Sequence, residues 1–162
     1  MLPRAIAIVR ILLGITVLAL GVIRLTDPGF LYGGLMLELS EHGQPYAFYY
    51  RNVLGRYVLM HQELFAYALA IGEILVGLSF LTGALVSLGA LGGAFLMLNF
   101  GFAVSAGKPA LMAMHVFFAL VFLALGRYGA GLTWGVDGWL ARRINEVIIL
   151  FPLRLSLPDY FK

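Results

Sequence analysis

The sequence predicts an all-α membrane protein: a four-transmembrane-helix bundle with an interfacial helix in its long first connection and an amphipathic C-terminal segment. The 162 residues are 62% hydrophobic and 12% charged, with a mean hydropathy of +0.95, unlike a water-soluble domain. A helix needs about 20 apolar residues to cross the hydrocarbon core, where each backbone amide must be satisfied within its own segment. We therefore treat residues 1–162 as one membrane domain, with spans at about 3–25, 64–81, 84–106 and 109–126.

Cationic residues around these spans predict the orientation of the chain. On the side of the termini lie Arg4, Arg10, Arg127, Arg142, Arg143, Arg154 and Lys162, whereas Arg24, Arg51, Arg56 and Lys108 lie on the other side. Cytoplasmic ends carry the excess of Lys and Arg, so we expect both termini in the cytoplasm. Small residues at 19–21 loosely fit a signal-peptide cleavage site, but Arg10 interrupts that pattern and the stretch is long enough to span.

The first connection, from Thr26 to Glu63, is far longer than a bundle requires. Its second half, "PYAFYYRNVLGRYVLMHQE" at residues 45–63, groups four tyrosines, a phenylalanine and two arginines. This mixture favours a short helix at the membrane interface that acts as an aromatic anchor. The alternative is a lid or a partner surface over an outer cavity.

The tail after Gly126 contains a second group of interfacial residues, namely Trp134, Trp139, Arg142 and Arg143. Residues 144–151 are apolar, but Pro152 ends them after too few residues to span. We expect a segment that lies in the membrane plane or docks on the protein or a soluble partner.

Two oppositely charged residues fall inside predicted spans. Glu73 lies near the middle of the second span, and Arg10 lies about two turns inside the first. Helical spacing puts each on a stripe of small residues that can approach another helix closely. We therefore predict that Glu73 points into the bundle and pairs with Arg10. The stripes are Arg10, Gly14, Val17, Gly21 and Arg24 in the first span, and Ala66, Ala70, Glu73 and Gly77 in the second.

A second polar layer is predicted on the third and fourth spans. Asn99 shares a face with Gly89, Gly92, Leu96 and Ala103, and Gly89 with Gly93 forms a GxxxG step. His115 shares a face with Met112, Ala119, Phe122 and Gly126. Asn99 and His115 lie at similar depth on adjacent antiparallel helices, so we expect a hydrogen bond between them.

Each polar residue also has a structural interpretation, which stays open. The Arg10–Glu73 pair would fix helix register, Asn99 would join helices, and His115 would be a satisfied core histidine. Haem ligation by His115 together with His61 is a further alternative.

Absent residues and motifs exclude several classes of site. The chain has no cysteine, which excludes disulfides, thiolate metal sites and a dithiol relay. It has no phosphate-binding glycine loop and no zinc-protease motif, and a net charge of +3 gives no indication of nucleic-acid binding. We expect no metal and no covalently bound cofactor.

The segment "GEILVGLSFLTGALVSLGALGGAFLMLNFGFAVSAG" (72–107), followed by "GLTWGVDGWL" (131–140), resembles the DoxX/DoxD family of small four-helix bacterial membrane proteins. The resemblance rests on Glu73, on Asn99 with Phe100, and on the Gly-x-Asp-x-Trp pattern of Gly135, Asp137 and Trp139. That family includes the membrane subunit of thiosulfate:quinone oxidoreductase. The resemblance therefore implies the bacterial inner membrane, a quinone-linked or redox-associated role and a soluble redox partner.

The resulting hypothesis is a membrane subunit that binds a quinone or a similar apolar ligand within the bundle. Glu73 and His115 would handle protons, Arg10 would keep Glu73 ionised, and Asn99 would orient the head group. Tyr57, His61 and Met112 complete the candidate binding residues. The alternatives are a non-catalytic anchor or scaffold for a soluble partner and, third, a small transporter or lipid-binding protein. Exposed glycine faces also permit a homodimer.

Overall fold

The computed structural model describes residues 2–42, 44–144, 149–154 and 156–158. Its helices in chain order are α1 (Leu2–Thr26), α2 (Leu35–His42), α3 (Ala47–Tyr49), α4 (Gln62–Thr82), α5 (Val86–Val104), α6 (Pro109–Tyr128) and α7 (Val136–Leu140). Four of them, α1, α4, α5 and α6, are long and apolar enough to cross a membrane. The predicted all-α four-helix bundle is confirmed, and the chain is a multi-pass membrane protein. Lys162, one of the cationic residues on the side of the termini, lies outside the described residues.

Helices α1 and α4 pack through glycines along their whole shared length. A Cβ added to Gly14 would lie 2.5 Å from the backbone nitrogen of Leu81, and one added to Gly77 would lie 2.5 Å from that of Leu18. The two backbones are therefore in direct contact. Both predicted stripes face this contact, and all their members except Arg24 are buried, Arg24 being half-buried.

Helices α5 and α6 form the second close pair. Gly93 of α5 packs against the ring of Phe122 on α6, which meets Phe80 of α4 edge to face at 5.1 Å. Gly89 instead packs against Ser79 of α4. The two glycines of the predicted GxxxG step therefore contact different helices, Gly93 contacting α6 and Gly89 contacting α4. The face of α5 with Gly92, Leu96 and Asn99 is only half-buried, because it borders open space between α4 and α5.

The first connection is a folded cap, which we define as residues 27–61. It contains α2, α3 and two wide π-helical segments, Phe30–Gly34 and Tyr50–Val58, the first kinked at Gly33 with φ of 151°. Buried side chains of the cap pack on Ala66, Ala103 and Val104 of the bundle, and these side chains are Phe30, Leu31, Leu35, Leu39, Tyr49, Leu54 and Val58. The cap therefore covers the end of the bundle where α1 ends and α4 begins.

The cap is also joined to the end of α5 by backbone hydrogen bonds. The Tyr46 amide donates to the Phe102 carbonyl at 3.1 Å, and the Ala106 amide donates to the Gln44 carbonyl at 2.7 Å. Exposed Phe48, Tyr50 and Tyr57 remain on its surface and suit the predicted aromatic anchor. The segment thus has a packed side and an aromatic side, where the sequence alone left an anchor and a lid as alternatives.

The opposite end of the bundle, the terminal end, holds the start of α1 and the residues after α6. A 3-10 turn (Ala130–Leu132) leads to α7. Ile149 and Leu150 are buried, and Leu153 packs near Gly126 of α6. These residues dock on the protein, which is one of the outcomes expected for the tail, whereas residues 145–148 lie outside the described part.

Candidate ligand-binding site

Glu73 is buried and pairs with Arg24. Arg24, near the end of α1, donates through Nη1 to Glu73 Oε1 and through Nη2 to Glu38 Oε1 of α2 at 3.0 Å. Its guanidinium also lies 5.3 Å from the ring centroids of both Phe30 and Phe100, a cation–π geometry. One cation therefore joins α1, α2 and α4.

The predicted Arg10–Glu73 pair is wrong. The glycine contacts set the register of α1 against α4, because Gly21 packs against Ile74 and Gly14 packs against Leu81. This register puts Glu73 level with residue 22, about half a turn from Arg24. Arg10 is then about 12 residues further along α1, or about 18 Å at 1.5 Å per residue.

Arg10 instead closes the terminal end of the bundle. It is 0% exposed and donates to the carbonyls of Ala130 at 2.9 Å, Thr133 at 3.3 Å and Trp134 at 3.1 Å. These carbonyls belong to the turn after α6. Arg10 therefore holds that turn against α1 and cannot hold Glu73 ionised.

Asp137 also holds this end of the bundle together. We call Arg10, Asp137 and the backbone groups that they bind the end lock. Its carboxylate accepts hydrogen bonds from the amides of Leu85 at 2.7 Å and Val86 at 3.0 Å, where α5 begins. Burial raises the pKa of Asp137, whereas the two amide hydrogen bonds and Arg10 act in the opposite direction. The Asp137 amide donates to the Gly83 carbonyl at 2.8 Å. The Gly-x-Asp-x-Trp pattern thus supplies a helix cap, a role that the sequence analysis did not assign.

A cavity of about 330 Å³ lies under the cap, between α4 and α5. Leu35, Leu39, Leu54 and Phe65 are among its apolar lining residues. Its polar lining residues are Tyr49 and Asn99. The result is an apolar pocket with one polar corner, the form typical of small-molecule sites.

The polar corner is a hydrogen-bonded pair. The Tyr49 hydroxyl donates to Asn99 Oδ1 at 3.1 Å, and Asn99 Nδ2 donates to the Phe95 carbonyl at 2.8 Å. Burial raises the pKa of Tyr49, so its hydroxyl stays protonated at neutral pH. In the sequence, Tyr49 is one member of an aromatic cluster, and the sequence alone predicted no role for it.

His115 and Asn99 bind different partners, so the expected hydrogen bond between them is wrong. His115 Nδ1 lies 2.8 Å from the Leu111 carbonyl of its own helix, and its ring stacks on Phe100 at 6.5 Å. Phe100 is part of the cavity wall and also contacts Arg24. Both His115 and the Arg24 guanidinium are therefore one aromatic ring away from the cavity.

Of the predicted site residues, the structure brings only Asn99 to the wall of this cavity within the described part of the chain. Glu73 faces α1, and Met112 packs near Gly101 with His115. Tyr57 is exposed on the cap, and His61 is exposed just before α4. Sequence reasoning missed Tyr49, Glu38 and the role of Arg24, because these depend on how the cap folds back.

Neither family models, nor curated proteins, nor solved structures give a match to this chain. Within the described residues there is also no group of three or more His, Asp or Glu side chains placed to hold a metal ion.

Proposed function

We propose that this protein binds a lipid-soluble ligand with a carbonyl or hydroxyl head group, such as a quinone, in the cavity under the cap. The observation that carries the proposal is the Tyr49–Asn99 pair inside a cavity that is otherwise apolar. The resemblance to DoxX/DoxD proteins supports the same ligand class and a place in a bacterial inner membrane. The excess of cationic residues on the side of the termini supports an orientation with both termini in the cytoplasm.

The polar corner suits both redox forms of such a ligand. The Asn99 amide has two N–H groups, and one of them donates to the Phe95 carbonyl. The other is available to a ligand carbonyl. The Tyr49 hydroxyl oxygen retains acceptor capacity for a ligand hydroxyl. A quinone and a quinol would therefore each find a hydrogen-bond partner.

The Arg24 cluster supports the site by positioning its wall. Arg24 ties Glu38 of α2 to Glu73 of α4, and Leu35 and Leu39 of α2 line the cavity. Proton exchange at Glu73 and His115 remains part of the proposal, although neither side chain lines the cavity. Electrons would come from a soluble redox partner that docks at the membrane surface.

Ligand binding by purified protein tests the proposal. We expect Asn99→Leu to weaken binding of a short-chain benzoquinone about 5-fold, and Tyr49→Phe to weaken binding of the corresponding quinol about 5-fold, since each removes a hydrogen bond of about 1 kcal/mol. Asn52→Leu, on the exposed surface of the cap, is the matched control and should leave affinity unchanged. Mass spectrometry of extracted lipid should also detect the native ligand.

Equal affinity in all variants would contradict the proposal. The scaffold alternative would then gain support if Glu73→Gln lowered thermal stability but left capture of a soluble partner unchanged.

A further inference from the structure

A second space, the α4–α5 groove, continues from the cavity towards the terminal end. It has a volume of about 610 Å³ and is lined by residues of α4 and α5 and of the turn between them. Ala68, Phe95 and Leu96 line both the groove and the cavity. The two spaces are therefore continuous along the surface between these helices.

Gly72 keeps the groove open on the α4 side. Gly89 and Gly92 also line it, but they pack against Ser79 and Val76 of α4. A Cβ added to Gly72 would find its nearest neighbour, Leu96 Cδ2, at 4.0 Å, so this position borders free space. The groove also has exposed walls, since Leu75 is 63% exposed and Phe95 is 66% exposed.

The length of the groove suits an extended hydrocarbon chain. Along α4 it reaches from Ala68, which also lines the cavity, to Thr82 near the end of that helix. At 1.5 Å per residue this distance is about 21 Å, against about 30 Å for the whole hydrocarbon core.

The charges of the residues that line the cavity determine which lipid head groups can bind there. None of the described residues that line the cavity is a lysine or an arginine. A phosphate head group placed there would be buried without a counter-charge, which is unfavourable. An uncharged head with a carbonyl or hydroxyl matches Tyr49 and Asn99 instead.

We infer that the α4–α5 groove holds the single apolar chain of the ligand whose head lies in the cavity, and that the ligand enters sideways from the bilayer. This inference rests on the proposed function and adds the chain site and the route. The occupant is an uncharged single-chain lipid of the quinone or prenol class.

Groove-filling variants test the inference. We expect Gly72→Phe to weaken binding of a quinone with a long isoprenoid chain about 10-fold and to leave binding of a chainless benzoquinone unchanged. Gly72→Leu should give a smaller effect in the same direction. Ala19→Phe, on the exposed face of α1, is the control that adds the same bulk outside the groove. Gel filtration and thermal unfolding check that each variant is folded.

A photoreactive group at the end of the isoprenoid chain gives an independent measurement. We expect it to label α4 and α5 between residues 75 and 88, and labelling of α1 or α6 would overturn the inference. So would equal binding of a phosphate-headed lipid of the same chain length. The protein could also prove to be a dimer that Gly72→Phe converts to a monomer without any change in ligand affinity. That result would overturn the inference, because a second copy of the chain would then occupy the groove.

The two proposals fail in different ways. If the unmodified protein binds the chainless quinone but gains nothing from the chain, only the inference about the groove is overturned. If it binds neither compound, the proposed function is overturned and the inference with it.

Discussion

At the scale of single residues, the balance of charge around Arg24 is uneven. One guanidinium faces two carboxylates, and Glu73 Oε2 is buried with no hydrogen-bond partner among the described residues. Removing one partner of a buried ion pair leaves an uncompensated charge, which costs more than the pair itself contributes. The three members of the cluster should therefore differ widely in their sensitivity to substitution.

We expect Arg24→Met to lower the free energy of unfolding by about 3 kcal/mol or more, because it leaves Glu73 buried without a cation. Glu73→Gln should cost about 1 kcal/mol, since the Arg24–Glu38 pair survives. Thermal unfolding in detergent measures both changes, with Arg51→Met on the exposed cap as the control. Equal losses from the two substitutions would show that Arg24 does not neutralise Glu73.

At the scale of helices, α5 begins at a capped end. Leu85 has a left-handed backbone with φ of 52°, which is costly for a residue other than glycine. Asp137 holds it there by accepting the amides of Leu85 and Val86. A carboxylate at the start of a helix also interacts favourably with the helix dipole.

We expect Asp137→Ala to lower stability by about 2 kcal/mol, since it removes the cap of α5. Asp137→Asn should lose less, because its single carbonyl oxygen can still accept one amide. Asp27 offers a matched control, since it accepts the Gly29 amide at 2.8 Å on the exposed surface, and Asp27→Ala should change stability little. Chemical unfolding in detergent provides the comparison. Identical unfolding of Asp137→Ala and the unmodified protein would rule out the capping role.

Helix positions and helix faces could be predicted from the sequence, whereas helix partners could not. Hydropathy and a 3.6-residue period are local properties, so the four spans and the buried faces of α1 and α4 agree with the structure. Whether Arg10 or Arg24 pairs with Glu73 depends on the register of α1 against α4. Contacts of Gly14, Gly21 and Gly77 with distant segments of the chain set this register. Tyr49 reaches Asn99 only because the cap folds back through wide helical turns, and no local pattern indicated these turns.

At the scale of the whole molecule, the orientation of the chain is open to a direct test. The chain has no cysteine, so a single introduced thiol reports one position. In intact bacterial cells we expect an impermeant maleimide to label Asn52→Cys in the cap. Ser156→Cys, on the exposed tail, should be labelled only after permeabilisation. The reverse pattern would place the cap in the cytoplasm and invert the proposed topology.

The glycine contacts between α1 and α4 have a mechanical consequence. Backbones that touch at Gly14, Gly21 and Gly77 leave no room for sliding, so we expect α1 and α4 to behave as one rigid half, with α5 and α6 as the other. The end lock fastens the halves at one end and the cap fastens them at the other. A guest molecule in the α4–α5 groove would then lie along the boundary between the two halves, in contact with both.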